Sequence, residues 1–256
     1  MMKLGRLINI AFILVLITFM FHILAMGYNR WKIIRCKSCS GNVSVHTIYT
    51  SLTQRCYLSS FSLDQQSLSG ELCLSNKFLY PKKKGDAELC LNETLDQQYT
   101  ECSSHTYSKQ CHCDYALGTK IILALTIVAA ILLGLTILIT HFMLLSAEKN
   151  IILFVIGETF LIISFLAILI ALILVGVYKT QDIDELKYKR TLNAMSGMPI
   201  NSKELGRLRN SNYSITVGYS VGLEIIALFF TLGTAIFFIF LLWVRGRSGE
   251  QSAESD

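Results

Sequence analysis

The chain has 256 residues, of which 52% are hydrophobic and 16% charged, with only 2 Pro, and its mean hydropathy is +0.49. Such a composition excludes an ordinary soluble domain and places lipid around part of the molecule. The net charge is a modest +5.

Residues 1–6 form a short N-terminal segment holding Lys3 and Arg6, and the first apolar run follows at 7–28. Three more runs lie at 121–147, 151–178 and 215–244. A bilayer core of about 30 Å needs about 20 helical residues, so each run is long enough to cross it. In lipid every backbone polar group must be satisfied within its own segment, which makes helix the expectation for all four. The first two runs carry no Asp, Glu, Lys or Arg, whereas the third and fourth carry one carboxylate each, Glu158 and Glu224. A cleaved signal peptide is the rival reading of the first run, with Lys3 and Arg6 before it and Ala25 near its end. The run exceeds the roughly 7–15 apolar residues of such signals and no clear A-x-A site follows, so a retained span is expected.

The polar stretch 29–120 holds all eight cysteines: Cys36, Cys39, Cys56, Cys73, Cys90, Cys102, Cys111 and Cys113. An even number gathered in one loop suits disulfides made in an oxidising compartment. A loop of this size outside the membrane builds only a small core, and disulfide staples worth about 2–4 kcal/mol each compensate for it. Cys36-x-x-Cys39 and Cys111-His112-Cys113 also admit a zinc or redox reading. Zinc needs thiolates and a redox pair needs a βαβ setting, so structural disulfides are preferred and no metal or other cofactor is expected. Asn42, Asn92 and Asn212 open three N-x-S/T sequons, all on one side of a four-span topology. These features place 29–120 and 179–214 outside the cell, with the turn 148–150, the N-terminal segment and the tail 245–256 in the cytoplasm. Arg245, Arg247 and Lys149 agree with the positive-inside rule; the basic second loop, with Lys187, Lys189 and Arg190 among others, opposes it.

Within the first loop, "HTIYTSL" and "QRCYLSSFSL" alternate polar with β-branched or aromatic residues and predict short strands, while "YPKKKGDAE" predicts an exposed turn. The expected fold is therefore an all-α four-helix transmembrane bundle carrying a small, disulfide-stapled, extracellular antiparallel β-sheet. After the third span, Ile183, Leu186 and Leu192 recur at roughly helical spacing, which extends that helix beyond the membrane.

Four ionisable residues fall inside the spans. Charge in lipid is costly and faces the bundle or a cavity. Glu158 and His141 lie toward the two ends joined by the short turn, and so form one expected pair; His22 and Glu224 form another if the first and last helices adjoin. Such pairs fit helix packing or contact with a partner's helix better than a transport path. Ala130-x-x-x-Gly134 and Gly218-x-x-x-Gly222 mark candidate close-packing faces.

The layout resembles the claudin, peripheral-myelin-protein and calcium-channel gamma-subunit superfamily: a Trp soon after the first span (Trp31), a large cysteine-bearing outer loop, a tight inner turn and a second outer loop. "YTSLTQRC" stands where the family has G-L-W before its first cysteine, so the resemblance assigns Cys56 and Cys73 as the family's cysteine pair, although the Gly and second Trp are absent. The cysteine-rich loop is similar to gamma subunits. The succession Trp31, Cys36, Asn42 and the long second loop are similar to clarins.

No H-E-x-x-H, phosphate-binding Gly loop or G-x-S-x-G elbow is present, so a non-enzyme is expected. The resemblance implies a plasma-membrane accessory subunit that modulates an ion channel or receptor. Claudin-like adhesion through self-association at cell junctions, and a clarin-like membrane role, are the alternatives. The chain ends "GEQSAESD", without the apolar terminal residue of a PDZ ligand, which favours the accessory role. The expected partners are membrane lipid and either a membrane protein or a second copy, with no nucleic acid.

Overall fold

The computed structural model describes residues 4–28, 30–36, 45–63, 66–81, 111–145, 151–180 and 213–253. The chain divides into two compact units, one built from 1–27, 123–173 and 220–256, the other from 28–122 and 174–219.

The first unit takes its mass from four helices: α1 (Leu4–Gly27), α2 (Leu117–Leu145), α3 (Ile151–Val177) and α4 (Tyr219–Ala253). They contain apolar stretches of 23, 29, 27 and 28 residues, each long enough to cross a membrane. Only 28–33% of an 18-residue apolar window within each is buried, yet the exposed positions are just as apolar: Met20, Ile131, Leu138, Ile173 and Phe229 are all more than half exposed. A helix that is apolar all round belongs in lipid, and this is a multi-pass membrane protein.

One core joins the four helices. Leu7, Ile8, Ala11 and Val15 of α1 meet Ala129, Leu133 and Met143 of α2, Phe154, Leu161 and Ile168 of α3, and Ala235, Phe238 and Leu241 of α4. Small hydroxylated residues share this interior: Thr18, Thr136, Thr140, Ser164, Thr231 and Thr234 are fully buried. Each of their hydroxyls donates to the carbonyl one turn earlier, at 2.7–2.9 Å, so none presents an unpaired donor to the apolar interior.

The second unit is built on antiparallel strands. β1 (Lys32–Cys36), β2 (Val45–Thr50), β3 (Gln54–Leu63), β4 (Gln66–Ser75) and β7 (Tyr213–Val217) form one sheet in the order β4-β3-β2-β1-β7. β5 (Lys77–Pro81) and β6 (Cys111–Tyr115) pair separately. The two strands predicted from alternation are β2 and β3. The predicted turn begins on Tyr80 and Pro81 at the end of β5, and the rest of it lies outside the described residues. Cys56 and Cys73 stand directly opposite each other on β3 and β4 and form a disulfide.

Several helix boundaries differ from expectation. α1 begins at Leu4, inside the expected N-terminal segment, and α2 begins at Leu117, inside the stretch expected to be loop, whereas the fourth span begins at Tyr219 rather than 215 and its helix runs on to Ala253, through most of the expected tail. Ile215 and Val217 are apolar enough for a span, but the segment is extended because it pairs with β1 in register Ile34↔Ile215 and Lys32↔Val217. Tertiary pairing overrides the hydropathy signal there. The predicted continuation of the third helix, over Ile183, Leu186 and Leu192, lies outside the described residues.

At the junction of β6 with α2, the Asp114 carboxylate accepts from the Lys120 ammonium and, at 2.9 Å, from the Tyr115 N–H. The Lys120 hydrogen bond, foremost, holds the Asp114 carboxyl below its usual value of 3.8. A depressed carboxyl stabilises the fold above its unfolded pKa, and that contribution fades as pH falls through the folded one. Asp114→Asn is accordingly expected to flatten the acid side of a stability-against-pH curve below about pH 4, with a small amplitude because the pair is solvated. An unchanged acid limb in thermal unfolding scans argues against it.

Candidate functional site

α1 carries His22 about a turn and a half from its C-terminal end, and α4 carries Glu224 about a turn and a half from its start. Both side chains are fully buried, and His22 Nδ1 lies 2.8 Å from Glu224 Oε1. The other ring nitrogen, Nε2, lies 2.9 Å from the Thr126 carbonyl oxygen on α2. A carbonyl only accepts, so Nε2 carries a hydrogen and donates it. One further proton is then held between Nδ1 and Oε1, and the cluster is complete either as imidazolium with carboxylate or as imidazole accepting from a carboxylic acid. Glu224 Oε2 is buried without a hydrogen-bond partner. Three helices of the unit are thus tied by one imidazole.

The second expected pair does not form. His141 is exposed and its ring packs 5.9 Å from that of Phe12, whereas Glu158 is 7% exposed and neither of its oxygens has a hydrogen-bond partner. The line along which α2 and α3 meet explains the miss: a side chain at Gly157 would stand 3.8 Å from Ile139 Cγ2. His141 is two residues from Ile139, about 200° round the helix, and Glu158 is about 100° round from Gly157. Neighbouring helices do not bring residues together when both are turned off the shared seam.

The small-residue faces also separate. On α2, a side chain at Gly134 would meet Phe19 of α1 at 3.9 Å, an ordinary contact. Gly218 lies before α4, and a Cβ there would stand 1.8 Å from the Arg30 carbonyl oxygen; a Cβ on Gly222 meets nothing within 4 Å. Gly218 and Gly222 are therefore not a helix-packing pair: the first lets two backbones approach, and the second is exposed. The tight helix contact is at Gly157, where a Cβ would stand 3.0 Å from the Phe238 ring. No spacing motif announced it.

In the second unit Trp31 is 2% exposed. Its backbone N–H donates to the Thr50 carbonyl at 2.9 Å, and its carbonyl accepts from the Gly218 N–H at 2.9 Å, so it pins β2 on one side and the end of β7 on the other. Lys32 is buried and donates to the Tyr178 carbonyl at 2.8 Å, just past the C-terminal end of α3, where a helix dipole favours a cation. Arg55 was not foreseen as a core residue, since an arginine in an alternating strand reads as solvent-facing. It is 2% exposed, lies 4.4 Å over the Phe78 ring, and donates from Nη2 to the Lys77 carbonyl at 2.8 Å. Its Nε and Nη1 have no hydrogen-bond partner.

Among the described residues no cysteine is free, and Cys113 on β6 is disulfide-bonded as well. Cys36 and Cys111 lie on β1 and β6. Cys39, Cys90, Cys102 and the sequon residues Asn42, Asn92 and Asn212 lie outside the described residues. Among the described residues no group of three or more His, Cys, Asp or Glu side chains is placed to hold a metal ion. Compared with known protein families and with curated proteins, the chain matches no family model and no curated sequence.

Proposed function

We propose that this chain is a non-enzymatic accessory protein of the plasma membrane, gamma-subunit-like or clarin-like within the claudin, peripheral-myelin-protein and gamma-subunit superfamily, that binds an ion channel or receptor and modulates it. Two features support the superfamily: Trp31 is buried at the root of the sheet, and the cysteines that fill the signature's positions, Cys56 and Cys73, are bonded across β3 and β4. In this orientation the sheet faces outward and both termini are cytoplasmic.

The observation that carries the accessory role is Glu158. His22 and Glu224 bond to each other inside the unit, leaving one Glu224 oxygen bare, but Glu158 holds two buried carboxyl oxygens for which the described residues supply no donor at all. A carboxyl in a membrane span without a partner is costly, and because both oxygens are closed off inside the bundle, a donor on a partner's membrane helix removes that cost only by docking in a way that parts the helices around Glu158.

Purification from native membranes in a mild detergent is expected to recover a channel or receptor subunit at near-equal stoichiometry. Glu158→Leu is expected to lower that recovery about threefold to twentyfold, the worth of one intramembrane hydrogen bond. Recovery of this chain alone, in oligomers, would replace the accessory reading with adhesion or membrane organisation.

A further inference from the structure

A cavity of about 20 Å³ lies within the second unit, lined on its polar side by Lys32, Thr50, Ser51, Asn76 and Thr119. Asn76 follows β4 and is 2% exposed. Its backbone N–H donates to the Thr53 carbonyl at 2.8 Å and its side-chain Nδ2 donates to the Ser51 carbonyl at 3.0 Å. Its Oδ1 has no hydrogen-bond partner.

An amide turned the wrong way round is the simplest explanation for a lone buried oxygen, and it fails here. Reversing Asn76 would set Oδ1 against the Ser51 carbonyl, acceptor against acceptor, and lose the one bond the side chain makes. Nor is the turn free to carry the side chain away. Arg55 Nη2 donates to the Lys77 carbonyl at 2.8 Å and reaches the Ser75 carbonyl at 3.5 Å, holding the chain on both sides of Asn76. The oxygen is fixed in place, and leaving it bare would cost about 1–3 kcal/mol.

The geometry points to a binding site for one ordered water molecule in this cavity. The volume suits it, since about 10–15 Å³ of this kind of space already accommodates one water. The chemistry suits it as well, because a buried water needs two to four polar partners. The water donates to Asn76 Oδ1 and accepts from Lys32 Nζ, the ammonium that also donates to the Tyr178 carbonyl. The Thr119 hydroxyl, also buried, is the remaining partner. Such a water joins β1, the turn after β4 and the first turn of α2 through a single atom, and completes the hydrogen bonding of a turn that Arg55 only clamps from outside.

A structure of the full chain at a resolution that shows ordered water tests this directly. One peak is expected about 2.7–3.2 Å from Asn76 Oδ1, with a second contact to Lys32 Nζ or Thr119 Oγ1. A map that shows other bound waters but none here overturns the site, and so does a Lys32 ammonium bonded straight to Asn76 Oδ1. In solution, magnetisation transfer from a long-lived water to the Asn76 side-chain amide hydrogens is expected, and its absence counts against the site in the same way.

Discussion

Glu224→Leu, with His22 left in place, is expected to destabilise the protein by about 3–5 kcal/mol, whereas the double substitution His22→Leu with Glu224→Leu costs less than this single change. The reason lies in what each variant leaves behind. Removing only the carboxyl strands His22 Nδ1 in a fully buried, apolar place, while Nε2 still holds the ring against the Thr126 carbonyl at 2.9 Å. Removing both groups fills similar volume with apolar atoms and leaves no orphaned nitrogen. Glu224→Gln separates hydrogen bonding from charge: the Gln amide donates to Nδ1 of a neutral ring whose Nε2–H still donates to Thr126, so a cost within about 1 kcal/mol is expected. Reversible unfolding in mixed micelles, arranged as a double-mutant cycle, gives all three numbers. If Glu224→Leu proves no worse than the double variant, the pair is not the lock that ties α1, α2 and α4.

How much of this was legible depended on whether the signal was local. The four spans could be read because each is an unbroken apolar run, and lipid leaves helix as the only way to satisfy the backbone. The His22–Glu224 contact could be read as a possibility, because a charge in a span is costly unless it turns inward and few ionisable groups were available. Thr126 could not, since a backbone carbonyl leaves no trace in the sequence. The same limit explains His141 and Glu158, where chain proximity was visible but helix rotation was not.

In the sheet, β2 and β3 announced themselves by alternation, while β4 carries Gly70 and several Ser, and β7 was concealed in an apolar run. Arg55 and Asn76 are a different case. Polar residue types are read as exposed by default, and their burial follows from the carbonyls of Ser75, Lys77 and Ser51, which only the folded turn brings within reach.

The glycines separate a sequence motif most sharply from an actual helix contact. Gly218→Ala is expected to cost about 3 kcal/mol or more, because the added methyl would stand 1.8 Å from the Arg30 carbonyl oxygen and 2.6 Å from its carbon. Both atoms are backbone, so no flexible side chain can yield; the segment itself must move. That movement strikes the Gly218 N–H to Trp31 carbonyl bond and the Lys32↔Val217 register, which together hold β7 as the edge of the sheet. Because Trp31 also donates to Thr50, the disturbance reaches β2. Gly222→Ala adds the same methyl one helical turn later, where nothing lies within 4 Å, and it is expected to be neutral or to gain up to about 1 kcal/mol from helix propensity. The pair is measured by thermal unfolding, with protease sensitivity in the segment before α4 as a second readout. Equal damage from both substitutions would restore Gly218 and Gly222 as a helix-packing face; damage at Gly218 alone makes that glycine the place where the last strand closes against the first.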